Sequence, residues 1–260
     1  MTANSDQRLL VVGYSLLLLI GAAAAWQLGA NEAWFLQWNH AGAILPAALW
    51  ANLTLMADTL FAVAALLIAA CYRPRLLTQS LLLLIIGGLF VHAIKQGLNL
   101  PRPPLALDAD SFRLIGPALK NESFPSGHAF TAMSAAALMA LNQARAWASL
   151  VLLLIGSLAA LSRVMVGAHW PLDVLVGGGC GILIAWLCVA LEQRLPALQA
   201  HGWKLAGLVL LTLATVALAF HDDRYPDTQL LTVATSLIAL WFAVTHIWLP
   251  LIRLMQQAND

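Results

Sequence analysis

"LLVVGYSLLLLIGAAAAWQL", residues 9–28, runs for twenty residues without a charge. A helix rises 1.5 Å per residue, so such a run reaches about 30 Å, the thickness of a bilayer's hydrocarbon core. A strand of a membrane barrel would alternate apolar and polar residues, and a soluble helix would carry a polar stripe at period 3.6. This run does neither. A secretory leader is the rival reading, because small residues close the run. Leaders, however, have apolar centres of about 7–15 residues, and a retained span fits the length better.

The rest of the 260-residue chain repeats the pattern. Further apolar runs cover about 43–72, 76–97, 127–141, 146–163, 170–191, 203–220 and 229–251, giving eight candidate spans, the fourth short and the second overlong. The chain is 61% hydrophobic and 10% charged, where soluble domains carry about 25% charged residues. The reading is an all-α polytopic transmembrane bundle. Residues 1–192 form a six-span core that holds the polar motifs, and residues 193–260 add two further transmembrane helices. A net charge of +1 gives no sign of a nucleic-acid partner. Cys71, Cys180 and Cys188 lie in or beside apolar runs without metal-ligand spacing, and read as small core residues.

Basic residues between the spans set the orientation. With the N-terminus inside, Arg8, Arg73, Arg75, Arg145, Arg194, Lys204 and Arg253 are cytoplasmic, and Lys95, Arg102, Arg113, Lys120, Arg163 and Arg224 lie outside. Seven against six is close to a tie, but Lys95, Arg102 and Arg163 have a chemical reading; setting them aside leaves seven against three. Trp34, Trp38, Trp50, Trp147, Trp170 and Trp203 fall near span ends, as interfacial aromatics do. Asp58 lies fifteen residues back from Arg73, about 22 Å up a helix and so in the outer third of a hydrocarbon core about 30 Å thick. It is either a partner for a helix end or a counter-ion to Lys95 or Arg163.

Three polar stretches then share the outer side. "KQGLNLPRP" (95–103) ends the third span at two prolines, "FPSGH" (124–128) opens the fourth, and "SRVMVGAHWPLD" (162–173) joins the fifth to the sixth. Each has a bland reading as a snorkelling cation, a turn or a structural histidine. Asp173 is harder to dismiss. One turn inside a spanning helix it needs a partner, and His169, read as beginning the same helix and four residues earlier on the same face, can supply one. Lys95, Arg102 and Arg163 suit a tetrahedral dianion, and Ser126, the Gly127 amide and two helix N-termini can complete a phosphate cradle. A histidine oriented by an aspartate can attack through its other nitrogen, while His128 protonates the departing oxygen. Fixed cations replace a metal in this chemistry, so neither metal nor other cofactor is expected.

These stretches resemble the three signature motifs of the type 2 phosphatidic acid phosphatase family, the membrane lipid phosphate phosphatases, whose patterns are K-x6-R-P, P-S-G-H and S-R-x5-H-x3-D. Every fixed position is filled, in order. The resemblance implies that His169 is a nucleophile forming a phosphohistidine and Asp173 its orienting partner. It makes His128 the acid and then the base, and Lys95, Arg102, Ser126, Gly127 and Arg163 the phosphate ligands. It covers 95–173 densely and says nothing of the last two runs, which read by default as packing or oligomer helices.

The expected partners are the bilayer and a membrane lipid phosphate. Arg113 and Lys120 could hold a second phosphate, which favours a pyrophosphate such as undecaprenyl pyrophosphate, although Asp108, Asp110 and Glu122 share that loop. A phospholipid phosphate is the other candidate. One alternative is a phosphotransferase passing the phosphoryl group from a prenyl pyrophosphate to lipid A or another lipid. A transporter is a third reading, weakened by a dry midplane. Compact loops suggest a bacterial inner membrane, with the site facing the periplasm or exterior. The oligomeric state is open.

Overall fold

Several apolar runs end at a helix-stopping signal: Asn99 and Gly167 take positive φ after the third and fifth, and Pro196 follows the sixth. The computed structural model describes residues 5–257, and among these it is helical without strands. Its helices are α1 (Ser5–Gln27), α2 (Asn31–Gly42), α3 (Ala47–Met56), α4 (Thr59–Tyr72), α5 (Arg75–Leu98), the single turn α6 (Pro103–Ala106), α7 (Gly127–Leu141), α8 (Ala146–Met165), α9 (Pro171–Arg194), α10 (His201–Leu218), α11 (Gln229–Ala243) and α12 (Leu249–Gln257). Among the described residues six helical segments are long and apolar enough to cross a membrane, or seven if a bent pair counts as one span. The chain is an integral membrane protein.

The overlong second run is that bent pair. α3 and α4 meet at 61°, and Asp58 sits at the joint, its carboxylate accepting the Leu60 N–H at 2.7 Å. The short fourth run is α7, fifteen residues long. The final run turns once with π geometry at Val244–Trp248 before α12.

α7 lies at the centre, against α9 on one side and α8 on the other, while α1 backs α9 and α3 crosses α8. The α7–α9 approach depends on glycine. A Cβ at Gly177 would stand 2.5 Å from the Ser126 carbonyl oxygen, and one at Gly181 would stand 2.5 Å from that of Phe130. Both obstacles are backbone, which cannot swing aside. α1 joins α9 through the Ser15 hydroxyl, which donates to the Gly179 carbonyl at 2.8 Å. α10 and α11 form a hairpin against α4, with α10 also touching α5.

A buried polar clasp fixes the end remote from the three motifs. The Asn142 amide donates to the Gln79 side-chain oxygen at 2.8 Å, and the Gln79 amide donates to Glu192 at 3.2 Å. The Arg75 guanidinium stands 3.8 Å from the same carboxylate. Within the clasp donors and acceptors are matched, so α5, α7 and α9 share one level at that end.

Gly181→Val tests the central contact. Overpacking against backbone typically costs about 1–3 kcal/mol, so the thermal midpoint of the purified protein falls; an unchanged midpoint would show that α7 and α9 can separate freely.

Candidate active site

The site is assembled where the first turns of α7 and α9 meet the last turn of α5. Lys95, in that last turn, donates its Nζ to the Glu122 carbonyl at 2.7 Å. Asn99 ends α5 in the left-handed region, at φ 41°, and turns the chain into the connector carrying Arg102. The connector folds back on itself: the Arg102 amide donates to the Lys120 carbonyl at 2.8 Å and the Ser123 amide to the Leu100 carbonyl at 2.9 Å. The Arg102 side chain is buried. Its Nε donates to the Asn121 carbonyl at 2.8 Å and its Nη1 to the Ala168 carbonyl at 3.2 Å.

His169 is 1% exposed. It precedes α9 instead of lying in its first turn, because Pro171 starts the helix and holds Trp170 extended (φ −72°, ψ 152°). The contact with Asp173 forms even so, with His169 Nδ1 3.4 Å from Asp173 Oδ2. The other ring nitrogen, Nε2, lies 2.9 Å from Arg102 Nη1. A guanidinium only donates, so Nε2 is the acceptor and Nδ1 carries the proton toward the carboxylate. Asp173 Oδ2 also receives the Ser123 hydroxyl at 2.5 Å and the Trp170 amide at 3.1 Å. The carboxylate thus fixes the tautomer and caps α9 at once.

Ser126 is buried and caps α7, its hydroxyl accepting the Ala129 N–H at 3.3 Å. Its own amide donates to the Asp173 carbonyl at 3.0 Å, stapling the starts of α7 and α9 together. Gly127 and His128 follow in the first turn of α7 and line, with Lys95, the mouth of a groove of about 320 Å³. Between α4, α5 and α7 the groove continues past Val63, Leu66, Leu83 and Ala135. Arg163, 1% exposed, ends α8, and its backbone carbonyl accepts the His169 amide at 3.1 Å. Ser162 serves packing: its hydroxyl pairs with Thr54 Oγ1 at 2.7 Å.

Of the three residues read as auxiliary, Asp58 and Arg113 have other partners. Asp58 pairs with His221, Oδ2 to Nε2 at 3.6 Å, besides capping α4. The Arg113 guanidinium donates to the Leu45 carbonyl at 3.2 Å, and Lys120 is exposed. Two residues escaped the sequence reading. Ser123 stands two positions before the "PSGH" stretch and nothing local pairs it with an acid fifty residues on; Tyr225, outside all three motifs, lies 2.8 Å from Arg163 Nη1.

The protein is therefore a helical membrane protein with a buried histidine–aspartate pair facing a cluster of fixed cations. Residues 76–196, which hold all three motifs, match the model of the PAP2 superfamily. Among curated proteins, an undecaprenyl-diphosphatase of Sulfolobus acidocaldarius is 36% identical over 83 residues, 32% of this chain and 40% of that protein. A lipid A 1-phosphatase of Rhizobium etli is 33% identical over 127 residues, 47% of this chain and 54% of that protein. The chain thus spans about half the length of the curated relatives it matches. The crystal structure of Aquifex aeolicus LpxE superposes with a TM-score of 0.54 at 24% identity, covering 62% of this chain and 94% of that one, a likeness of fold.

Burial, and after it the charges of Arg102, Arg163 and Lys95, hold the His169 imidazole well below its usual range. A depressed value leaves the ring neutral as pH falls through about 6.5, the ordinary histidine midpoint. An NMR titration of the labelled ring is expected to place its midpoint below that of free histidine; a midpoint at or above it would mean that the cations do not face the ring.

Proposed function

We propose that the protein is an integral-membrane lipid phosphatase that hydrolyses a lipid phosphate or pyrophosphate through a phosphohistidine on His169, without a metal. The observation that carries this is the opposed pairing of the His169 ring: Nδ1 faces Asp173, while Nε2 faces a guanidinium able to hold phosphate oxygens. In the proposed step the phosphate displaces Arg102 from Nε2 and takes up the donors of Lys95, Arg102, Arg163, Ser126 and the Gly127 amide. Nε2 bonds to phosphorus, the bond to the lipid oxygen breaks, and His128 gives that oxygen its proton. Water then attacks the phosphorus, His128 takes the water's proton, and the P–N bond breaks to release inorganic phosphate.

The groove supports a lipid substrate. It is lined by Lys95 and His128 at one end and mostly by apolar side chains such as Val63, Leu66, Leu83 and Ala135 elsewhere, with Ser80 and Ser134 among them, which suits an anionic headgroup on a hydrocarbon chain. The named activities of the two curated relatives suggest an undecaprenyl pyrophosphate or lipid A phosphate, with other phospholipid phosphates within reach of the same chemistry. Arg8, Arg73 and Arg75 hold the end that carries the polar clasp, through Gln193, the Asn142 carbonyl and Glu192. This supports a cytoplasmic clasp and a site opening to the periplasm or exterior.

The test is phosphate release by the purified protein, with EDTA present, from a panel of lipid phosphates and pyrophosphates. Release is expected from the wild type and none from His169→Ala. No release from any lipid by a folded protein would overturn hydrolysis and leave transfer to another lipid as the reading to pursue. Ser123→Ala removes one hydrogen bond to a charged acceptor, worth about 1.5–3 kcal/mol. Its kcat is expected to fall about tenfold or more, and an undiminished kcat would remove Ser123 from the set that orients His169.

A further inference from the structure

The hairpin of α10 and α11 lies beyond the segment that matches the family, yet its loop enters the site. Arg163 Nη1 donates to the Tyr225 hydroxyl oxygen at 2.8 Å. The guanidinium carbon also stands 5.6 Å from the centre of the Tyr225 ring, within the range of cation–π attraction. Arg163 is 1% exposed, and its Nε–H is buried without a partner. A buried cation held by a neutral phenol, with a donor left over, is suited to receive an anion rather than to complete an internal ion pair.

Tyr225 is itself held from several sides. Its ring packs on Gly116, where φ is +81° and a Cβ would stand 2.5 Å from the ring. It also packs beside Trp50, Ile115, Val166 and Ala168. Its amide donates to Asp223 Oδ1 at 3.0 Å, which also accepts the Thr228 hydroxyl at 2.8 Å. The loop is moored to the bend between α3 and α4: His221 pairs with Asp58, and the Asn52 amide donates to the Asp227 carbonyl at 3.1 Å. Arg224 and Asp227 both take positive φ, near 60°, without being glycine. Such residues persist only where surrounding contacts over-determine the backbone.

We propose that this hairpin completes the phosphate site, with Tyr225 as the positioning residue that fixes the Arg163 guanidinium for the anion. The proposal rests on the reading of Arg163 as a phosphate ligand. It gives the appended helices a part in substrate binding beyond packing. The phenol acts through Arg163: losing its oxygen frees the guanidinium to sample other rotamers, and the order that the site now supplies would have to be gained during binding.

The experiment uses the full chain in detergent or nanodiscs and two readouts: orthovanadate affinity by calorimetry, and the kcat and KM of phosphate release. Tyr225→Phe keeps the ring and its packing and removes only the oxygen. It is expected to weaken vanadate binding and lower kcat/KM, each about tenfold, as one hydrogen bond to a charged group implies. The thermal midpoint is expected to stay within a few degrees. In an Arg163→Ala background the same change is expected to have no further effect, which a merely structural role would not produce. Unchanged vanadate affinity in Tyr225→Phe, an equal loss in the Arg163→Ala background, or no vanadate binding by the wild type would each overturn the proposal. A wild type that binds vanadate through Tyr225 but releases no phosphate would sink the phosphatase reading alone.

Discussion

The hydrogen bond from the Ser126 amide to the Asp173 carbonyl depends on two helices coming closer than side chains normally allow. Gly177 and Gly181 permit that approach, and the site follows from it. With the first turns of α7 and α9 side by side, His128 and the His169–Asp173 pair come from separate elements yet stand at one level. The positive dipole ends of the two helices also come to the same place. A larger residue at either glycine would part the turns and with them the histidines.

The cations are restrained mainly by dipoles. Lys95 and Arg102 donate hydrogen bonds to the carbonyls of Asn121, Glu122 and Ala168, and Arg163 donates one to a phenol oxygen. Carbonyl groups hold a cation in position without neutralising it, whereas a ring of carboxylates would already satisfy it. Asp173 is the carboxylate bonded to His169, and the Ser123 hydroxyl and the Trp170 amide share its charge. The positive excess therefore remains for an incoming anion. The connector from Asn99 to Pro125 supplies most of those carbonyls, which explains why the longest break between spans falls there.

Much of this was legible in the chain. The apolar runs gave the helices and the order of the motifs gave the cluster, because spanning length and proline or capping signals are local properties. The bend at Asp58 was half legible: its depth required a partner, but that partner, His221, comes from a segment more than 160 residues away. His169 was expected inside α9 and lies just before it, since Pro171 governs the helix start more strongly than the i, i+4 spacing. Ser123 and Tyr225 left no signal. A serine beside a turn and a tyrosine in an acidic loop gain meaning only through the groups that tertiary packing brings to them.

The brevity of α7 has a consequence for access. Fifteen residues reach about 22 Å, short of the roughly 30 Å of a bilayer's hydrocarbon layer. The clasp at Asn142 fixes its far end, so α7 stops short on the side of His128. Under the proposed reaction, a lipid headgroup would have to sink beside α7 to bring its phosphorus to the imidazole. Depth then works as a gauge of bulk: a slim headgroup can sink between the surrounding helices, while a broad one stays perched on their rims.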